Sequence, residues 1–297
     1  MWMSITHRTA CRFGRPIPWA RIEFRVLPVN LIEQSILKLR FSIEPLCALT
    51  ERIDGWGNLY KEAVWNSPIE SWQLAVDLVV NGLRENPFDF PPSAPARPIP
   101  PPGASEWPPE TLTYQWSERD NWDTDPRVEL WARESTAGMT GAFQKVHALM
   151  RRIHEEFTFR HGVTDVKTAP GEILQLRMGV CQDFATLLIA AARSLGLPAR
   201  YVSGYVYEGP RSKRSGPAPV GHGWAEVYFP EIGWRGFDAL NGILACHTHI
   251  HVAHGRWYAD AAPVIGRLGG VSIEQSTVTE IQVDRADSDG RIVEEGS

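Results

Sequence analysis

The stretch Arg177-Met178-Gly179-Val180-Cys181-Gln182-Asp183-Phe184 carries a glycine-containing turn directly into an apolar helix. This helix is predicted to run from Cys181 to about Gly196, because Pro198 follows and cannot continue it. Cys181 therefore lies at a helix N-terminus, where unpaired N–H groups and the helix dipole favour a thiolate. The same N–H groups can receive an oxyanion. Small buried cysteines are common, so this feature alone leaves a purely structural role open.

His222 and Asp238 lie on two predicted strands, 221–229 and 234–238, that follow the cysteine helix along the chain. A cysteine nucleophile needs a base to take its proton and a third group to hold that base in the correct tautomer. The three residues are therefore predicted to form a Cys-His-Asp triad, in which Cys181 attacks, His222 moves the proton and Asp238 orients His222.

The register of this predicted hairpin decides whether the triad can form. If Tyr228 pairs with Trp234 across a five-residue loop, His222 and Asp238 become diagonal neighbours on one face of the sheet. A loop of even length would put the two side chains on opposite faces. The register is thus a condition of the proposed chemistry.

The first part of the chain shows the period-2 alternation of strands with one buried face. Strands are predicted over 21–27, 37–43 and 72–78, with turn residues at 54–58 between them. Residues 1–86 are therefore predicted to form an antiparallel β-sandwich-like domain.

Residues 87–110 are so rich in proline that an extended, polyproline-like linker is predicted, and it marks a domain boundary. A spacer is favoured here over a ligand for a proline-recognising module. Helical periodicity follows at 143–157 and about 169–177. The second domain, 111–297, is predicted to consist of helices packed on an antiparallel sheet, which makes the whole chain α+β.

These motifs resemble those of the bacterial transglutaminase-like cysteine peptidases, a family of the transglutaminase-like, papain-related superfamily. The similar segments are the nucleophile motif 179–185, the following strand 195–205, the histidine motif 222–228, the aspartate motif 233–238, and, for the β-rich N-terminal domain of bacterial members, His7, Thr9 and the 54–58 turn. The resemblance implies a transglutaminase-like catalytic domain behind that N-terminal domain.

The chain departs from the family pattern at four places outside the triad. Gly223 replaces the usual alanine, Ala239-Leu240 a Pro-Thr pair, Thr186 a frequent histidine and Trp257 a frequent aspartate. The loss of an acid at Trp257 puts polar contacts around the site, and with them substrate choice, in question.

The resemblance implies a cysteine-dependent acyl-transfer enzyme that acts on amide or isopeptide bonds of a protein or peptide substrate. An acyl-enzyme would form on Cys181, and water or an amine would resolve it, with hydrolysis favoured over cross-linking. The alternative is a catalytically silent binding or scaffold protein of the same fold. The presence of all three triad residues argues against that alternative.

Four further residues are predicted to support the substrate or the oxyanion. Gln182 and Asp183 lie in the first turn of the cysteine helix, and Trp224 is expected to flank the triad. Gln175, six positions before the nucleophile, can donate to an oxyanion, although a solvated helix position is the alternative.

Composition excludes several other classes of protein. The 30 basic and 35 acidic side chains give a formal charge of −5, which argues against a nucleic-acid-binding surface. The four cysteines are far apart and form no CxxC pair, which argues against a disulfide scaffold and a structural zinc site. Neither a signal-peptide core nor an apolar run of membrane-spanning length is seen, so a cytoplasmic protein without membrane contact is expected.

No cofactor or catalytic metal is predicted. A rival site is the run from Cys246 through His247, His249 and His251 to His254, because alternate histidines on a strand can hold a transition metal. No carboxylate lies near this run in the sequence, so partly exposed strand residues are the favoured interpretation.

Overall fold

The computed structural model describes residues 1–101, 104–209, 221–270 and 274–293. Its helices are α1 (Pro126–Ser135), α2 (Ala142–Glu156), α3 (Pro170–Leu176), α4 (Cys181–Ser194) and α5 (Tyr258–Ala261). Its strands are β1 (Trp2–Ile17), β2 (Ala20–Phe24), β3 (Gln34–Glu44), β4 (Ala48–Ile53), β5 (Leu59–Trp65), β6 (Ile69–Gly82), β7 (Thr158–Phe159), β8 (Met178–Gly179), β9 (Ala199–Val206), β10 (His222–Phe229), β11 (Gly233–Asp238), β12 (Ile243–Leu244), β13 (His249–Gly255), β14 (Val264–Leu268) and β15 (Gln275–Arg285).

Two antiparallel sheets form the N-terminal β domain, in the orders β15-β1-β6-β3 and β14-β2-β5-β4. The alternating apolar residues of their strands point into a shared core, where Phe24 of the second sheet meets Trp72 of the first with ring centroids 5.2 Å apart. The turn between β4 and β5 closes on Asp54, whose Oδ1 accepts the N–H groups of Trp56 and Asn58. The predicted β-sandwich-like domain is present.

The C-terminal end of the chain differs from the sequence prediction. Residues 111–297 were expected to lie in the second domain, but β14 pairs with β2 and β15 pairs with β1. Both strands thus complete sheets of the N-terminal domain. The sequences of β14 and β15 do not reveal these pairings, because a strand partner more than 200 residues away leaves no local signal.

The second domain is built on the antiparallel sheet β12-β11-β10-β9-β13. Helix α4 packs on this sheet and is buried along almost its whole length, as its unbroken apolar sequence requires. Helix α2 presents Val146, Met150 and Ile153 to the same core. The expected α+β architecture of helices on an antiparallel sheet is confirmed. No helix within the described residues has the length and apolarity needed to cross a membrane.

The proline-rich segment is not a free spacer. Short 3₁₀ helices occupy Ala94–Ala96 and Pro109–Tyr114, and the ring of Phe90 packs 5.0 Å from that of Phe143 in α2. Trp107 is buried as well. The segment therefore packs on the second domain, because its aromatic side chains gain more from burial than from solvent exposure.

Three polar contacts join the two domains close to the predicted site. The His7 Nδ1 atom lies 2.9 Å from the Tyr205 hydroxyl of β9. Asn58 Nδ2 donates to the carbonyl of His254 at 2.7 Å. The Gln34 amide donates to and accepts from the backbone of His251, each at 2.8 Å. The N-terminal domain thus braces the two strands, β9 and β13, beside the candidate site.

Candidate active site

Cys181 is the first residue of α4, as predicted. The start of the helix is held by Asp183, whose Oδ2 accepts the N–H of Val180 and the hydroxyl of Thr164, both at 2.7 Å. A Cβ atom at Gly179 would lie 2.6 Å from this oxygen, so only glycine permits the close approach. Asp183 therefore positions the cysteine turn by capping it, and its carboxylate is occupied by that role.

The hairpin that presents the histidine and the aspartate has the register on which the triad depends. Tyr228 of β10 pairs with Trp234 of β11, and the ladder continues to Ala225 opposite Phe237. His222 and Asp238 consequently share one face, and His222 Nε2 lies 2.7 Å from Asp238 Oδ2. The predicted register is confirmed.

The nucleophile candidate also acts on His222. The Nε2 atom of His222 is engaged by Asp238, so Nδ1 is the ring nitrogen that remains available to Cys181. Burial favours the neutral ring and lowers the pKa of His222. The charge and hydrogen bond of Asp238, together with Cys181, outweigh burial and raise that pKa well above its ordinary value.

Asp238 is fully buried, and both oxygens of its carboxylate accept hydrogen bonds. Its Oδ1 accepts the N–H groups of Leu240 and Asn241 at 3.1 Å each, and the Asn241 side-chain amide donates to Oδ2 at 2.7 Å. Burial raises the pKa of this carboxyl, but His222 and His249 lower it far below the ordinary range. Ala239-Leu240 replaces the Pro-Thr pair usual in the family, and the turn that keeps the carboxylate ionised is nevertheless intact.

His249 is the site residue that sequence reasoning missed. It was expected to be partly exposed, yet it is 7% exposed, and its Nε2 lies 3.2 Å from the same Asp238 oxygen that binds His222. The expectation was wrong because the hairpin brings a carboxylate from outside the histidine run against this strand. Asp238 therefore lies between two imidazoles.

The histidines of the run are directed to different partners. His249 turns to Asp238, whereas His251 and His254 bond to each other at 3.1 Å, and His251 Nδ1 lies 3.4 Å from Glu226 Oε1. Among the described residues, three potential ligand atoms of His222, Asp238 and His249 lie within 4.8 Å of one another. Their nitrogens already bond to the carboxylate oxygen, so these contacts form a hydrogen-bond network of the kind a triad requires.

The glycine at position 223, where the family usually has alanine, is explained by a neighbouring side chain. A Cβ atom at this position would lie 1.9 Å from the hydroxyl oxygen of Tyr201, which is 2% exposed. Burial and the nearby charge of Cys181 raise the pKa of Tyr201 well above its ordinary value, which keeps the phenol protonated. The Tyr201 hydroxyl thus fills the space that the methyl group of an alanine at position 223 would need.

The remaining residues that were predicted to support the substrate or the oxyanion lie in different environments. Trp224 is buried, and its ring lies 6.2 Å from that of His222 and 5.3 Å from that of His249, so it packs the imidazoles from within. Gln182 is half-buried in the first turn of α4. Gln175 is exposed on α3, where its Oε1 accepts from Arg127 at 3.4 Å. Its oxyanion role stays a prediction, without a hydrogen bond to Cys181 among the described residues.

A cleft of about 750 Å³ is lined in part by Tyr258 and Ala259 of α5. Burial and the charge of Cys181 raise the pKa of the Tyr258 hydroxyl. Trp257, in place of the usual aspartate, also lines the cleft and donates its indole N–H to Asp120 at 2.6 Å. An acid from another segment thus contacts the residue at this position. A second cavity of about 350 Å³ lies at the far end of α4, beside Ser194 and Leu195.

Comparison with known proteins agrees with this architecture. Residues 129–239 match the transglutaminase-like superfamily, and residues 3–81 match the bacterial transglutaminase-like N-terminal region. An uncharacterized protein of Mycobacterium tuberculosis is 31% identical over 296 residues, covering 94% of this chain and 91% of its own length. The match to the N-terminal region accounts for the β domain in front of the core.

Two further similarities concern fold and family. The crystal structure of a candidate cysteine protease from Cytophaga hutchinsonii superposes with a TM-score of 0.75 at 19% identity, over 99% of this chain and 95% of that one. A protein-glutamine gamma-glutamyltransferase of Pseudomonas aeruginosa is 26% identical over 149 residues, which is 45% of this chain and 22% of the relative. With both family regions matched in order, the chain belongs to the transglutaminase-like superfamily and carries the bacterial N-terminal region of that family.

Proposed function

We propose that this protein is a cysteine-dependent acyl-transfer enzyme that hydrolyses amide or isopeptide bonds in a protein or peptide substrate. The observation that carries the proposal is His222, whose Nε2 bonds to Asp238 and whose pKa is raised by Asp238 and by Cys181, the first residue of a buried helix. This arrangement provides a nucleophile, a base and a carboxylate that orients the base, in the order in which the mechanism uses them.

In the acylation step, the Cys181 thiolate attacks the carbonyl carbon and a tetrahedral oxyanion develops. The first N–H groups of α4 have no intrahelical acceptors, so they can stabilise that charge. The His222 imidazolium then gives its proton to the leaving amine, and a thioester remains on Cys181. Asp238 stays ionised throughout and stabilises the imidazolium without taking its proton.

In the second step, neutral His222 takes a proton from water as the water attacks the thioester. With water as the acceptor, the products are the acid and the free enzyme, and the reaction is hydrolysis. An amine acceptor would give transamidation by the same thioester. The glutamyltransferase similarity makes that outcome worth measuring beside hydrolysis.

The thioester is the species that tests the proposal. Purified protein would be incubated with an activated acyl ester, and the acylated residue would be identified by peptide mass spectrometry, with a dansylated amine present or absent to separate transamidation from hydrolysis. We expect acylation at Cys181 that is lost in Cys181→Ala and His222→Ala. Cys47→Ala is the control, because Cys47 has neither a helix N-terminus nor a histidine contact among the described residues. Equal turnover in Cys181→Ala would overturn the mechanism.

A further inference from the structure

A second cysteine lies on the other side of the Asp238 carboxylate. Cys246 follows β12 in the turn that leads into β13, and its thiol is half-buried. Its sulfur lies 3.3 Å from the hydroxyl of Thr248, and that hydroxyl lies 3.0 Å from His249 Nδ1. The chain therefore places a thiol, a hydroxyl and an imidazole in sequence along one short turn.

The side chains of this turn follow the same order as the candidate triad, which is thiol, imidazole and carboxylate. The Cys246 sulfur is connected to His249 Nδ1 through the Thr248 hydroxyl, and the other nitrogen of His249 lies 3.2 Å from Asp238 Oδ2. The backbone N–H of Cys246 also donates to His249 Nδ1 at 3.4 Å, which fixes the ring against the turn. An imidazole held by a carboxylate on one side and a thiol on the other is the arrangement that generates reactive cysteines.

The other cysteines provide a contrast within the same chain. Cys11 is buried in β1 and Cys47 is half-buried, and burial raises the pKa of both thiols. Burial acts in the same direction on Cys246, but the hydrogen bonds from His249 and Thr248 prevail and lower its pKa to about 7. Exposure therefore does not distinguish Cys246 from Cys47, whereas the histidine contact does.

We propose that Cys246 is a modification site, a second reactive thiol that hydroperoxides and small alkylating electrophiles modify with the help of His249. With hydrogen peroxide, the thiolate attacks one oxygen, and an S–O bond forms as the O–O bond breaks. The sulfur loses two electrons and becomes a sulfenic acid. The departing hydroxide takes the proton of the His249 imidazolium and leaves as water.

The role of Cys246 does not depend on the proposed amide chemistry. It is separated from His222 by His249 and Asp238, and its reaction with peroxide uses neither Cys181 nor the cleft. Labelling of Cys246 can therefore succeed or fail whatever the substrate of Cys181 proves to be.

The test compares labelling rates of individual cysteines in the Cys181→Ala protein, which removes the competing nucleophile. Iodoacetamide labelling, and peroxide treatment followed by dimedone, would be quantified for the peptides of Cys246 and Cys47 at neutral pH. We expect Cys246 to react about tenfold faster than Cys47, because its larger thiolate fraction outweighs the lower nucleophilicity that accompanies a lower pKa. Equal rates for the two cysteines in this folded protein would overturn the proposal.

A second comparison isolates the histidine. His249→Gln should slow the labelling of Cys246 toward the rate of Cys47 and leave Cys47 unchanged. His251→Gln is the matched control, because His251 lies on the same strand and bonds to His254 and Glu226 instead. A rate for Cys246 that is unaffected by His249→Gln in protein with a native circular dichroism spectrum would also overturn the proposal.

Discussion

The Tyr201 hydroxyl occupies the volume that a side chain at Gly223 would need. The ideal Cβ position of residue 223 lies 1.9 Å from the hydroxyl oxygen and 2.7 Å from the ring carbon that bears it. Tyr201 and Gly223 belong to the neighbouring strands β9 and β10, so neither backbone can retreat without disturbing the sheet. The tyrosine and the glycine therefore depend on each other.

Gly223→Ala should destabilise the protein by about 1–3 kcal/mol, because the added methyl group overpacks a closed site. The free energy of unfolding would be measured by urea denaturation. Adding Tyr201→Phe removes the oxygen that makes the closest contact, so the double variant should lose less than the sum of the two single changes. Additive losses would show that the two residues do not interact in this way.

Removing the Asp238 carboxylate should affect both activity and stability. Asp238→Asn keeps the volume but cannot hold His222 in the required tautomer, so amide turnover should fall by up to about four orders of magnitude. Asp238→Ala additionally leaves buried donors of His222 and His249 without an acceptor and should cost about 3–5 kcal/mol of unfolding free energy. Kinetics and urea denaturation on the same preparations separate the two effects. Turnover in Asp238→Asn equal to wild type would remove Asp238 from the mechanism.

The rate of the proposed reaction should depend on pH through His222. The reactive form pairs the Cys181 thiolate with the His222 imidazolium, so the rate falls at high pH as the imidazolium loses its proton. Asp238 raises the pKa of His222, which extends the alkaline limb beyond the range of an ordinary histidine. Asp238→Asn should therefore move that limb to lower pH in a profile of kcat/KM. A limb that stays in place would assign it to another group.

Local patterns predicted the parts of the site that depend on neighbouring residues. The start of α4 follows from a turn next to an apolar run, and the hairpin register follows from period-2 alternation with a loop of odd length. Both patterns act over a few residues, so they can be recognised without knowledge of the rest of the fold. Cys181, His222 and Asp238 could be selected for this reason.

Contacts between distant segments could not be predicted in this way. His249 on β13 meets Asp238 on β11 across the two strands β9 and β10 that lie between them in the sheet, and nothing in the sequence of the histidine run encodes that order. The pairing of β15 with β1 has the same origin. Arg193 is a third example, because an arginine near the end of a helix is normally exposed, yet this one is fully buried.

Acid should weaken the contact between the two domains through His7 and His254. Burial lowers the pKa of His7 to about 4 and that of His254 to about 3, so both rings stay neutral in the folded protein where the unfolded chain already binds protons. Their full contribution to the free energy of unfolding is therefore present above pH 6.5, and it is lost as pH falls from there toward pH 4. Each group should add about 1.4 kcal/mol per pH unit to the slope of unfolding free energy in that window.

This prediction is checked by urea denaturation between pH 7.5 and pH 4.5. His7→Gln should have a shallower slope than wild type, because glutamine takes up no proton. His161→Gln is the control, since His161 is exposed on a turn. An unchanged slope in His7→Gln would exclude His7 as a source of the acid sensitivity.

The buried ion pair of Arg193 and Asp123 should make a large contribution to the stability of helix α4. Arg193 Nη1 lies 3.2 Å from Asp123 Oδ1, and both side chains are 0% exposed. The guanidinium also donates to the carbonyls of Tyr114 and Ala199, so α4 is tied to the strand and the segment that flank it. Asp123→Ala removes the only carboxylate that pairs with Arg193 among the described residues and leaves the buried guanidinium without a counter-charge, at a cost of about 3–5 kcal/mol.

Replacing both partners tests whether the cost comes from the orphaned charge. Because Arg193→Met with Asp123→Ala removes the charge as well as its partner, the double variant should be more stable than Asp123→Ala alone. Glu129→Ala is the matched control, since its exposed pair with Arg133 on α1 should contribute about 0.5 kcal/mol or less. The measurement is the urea midpoint at neutral pH. If Asp123→Ala were no more destabilising than Glu129→Ala, the ion pair would not be what holds α4 in place.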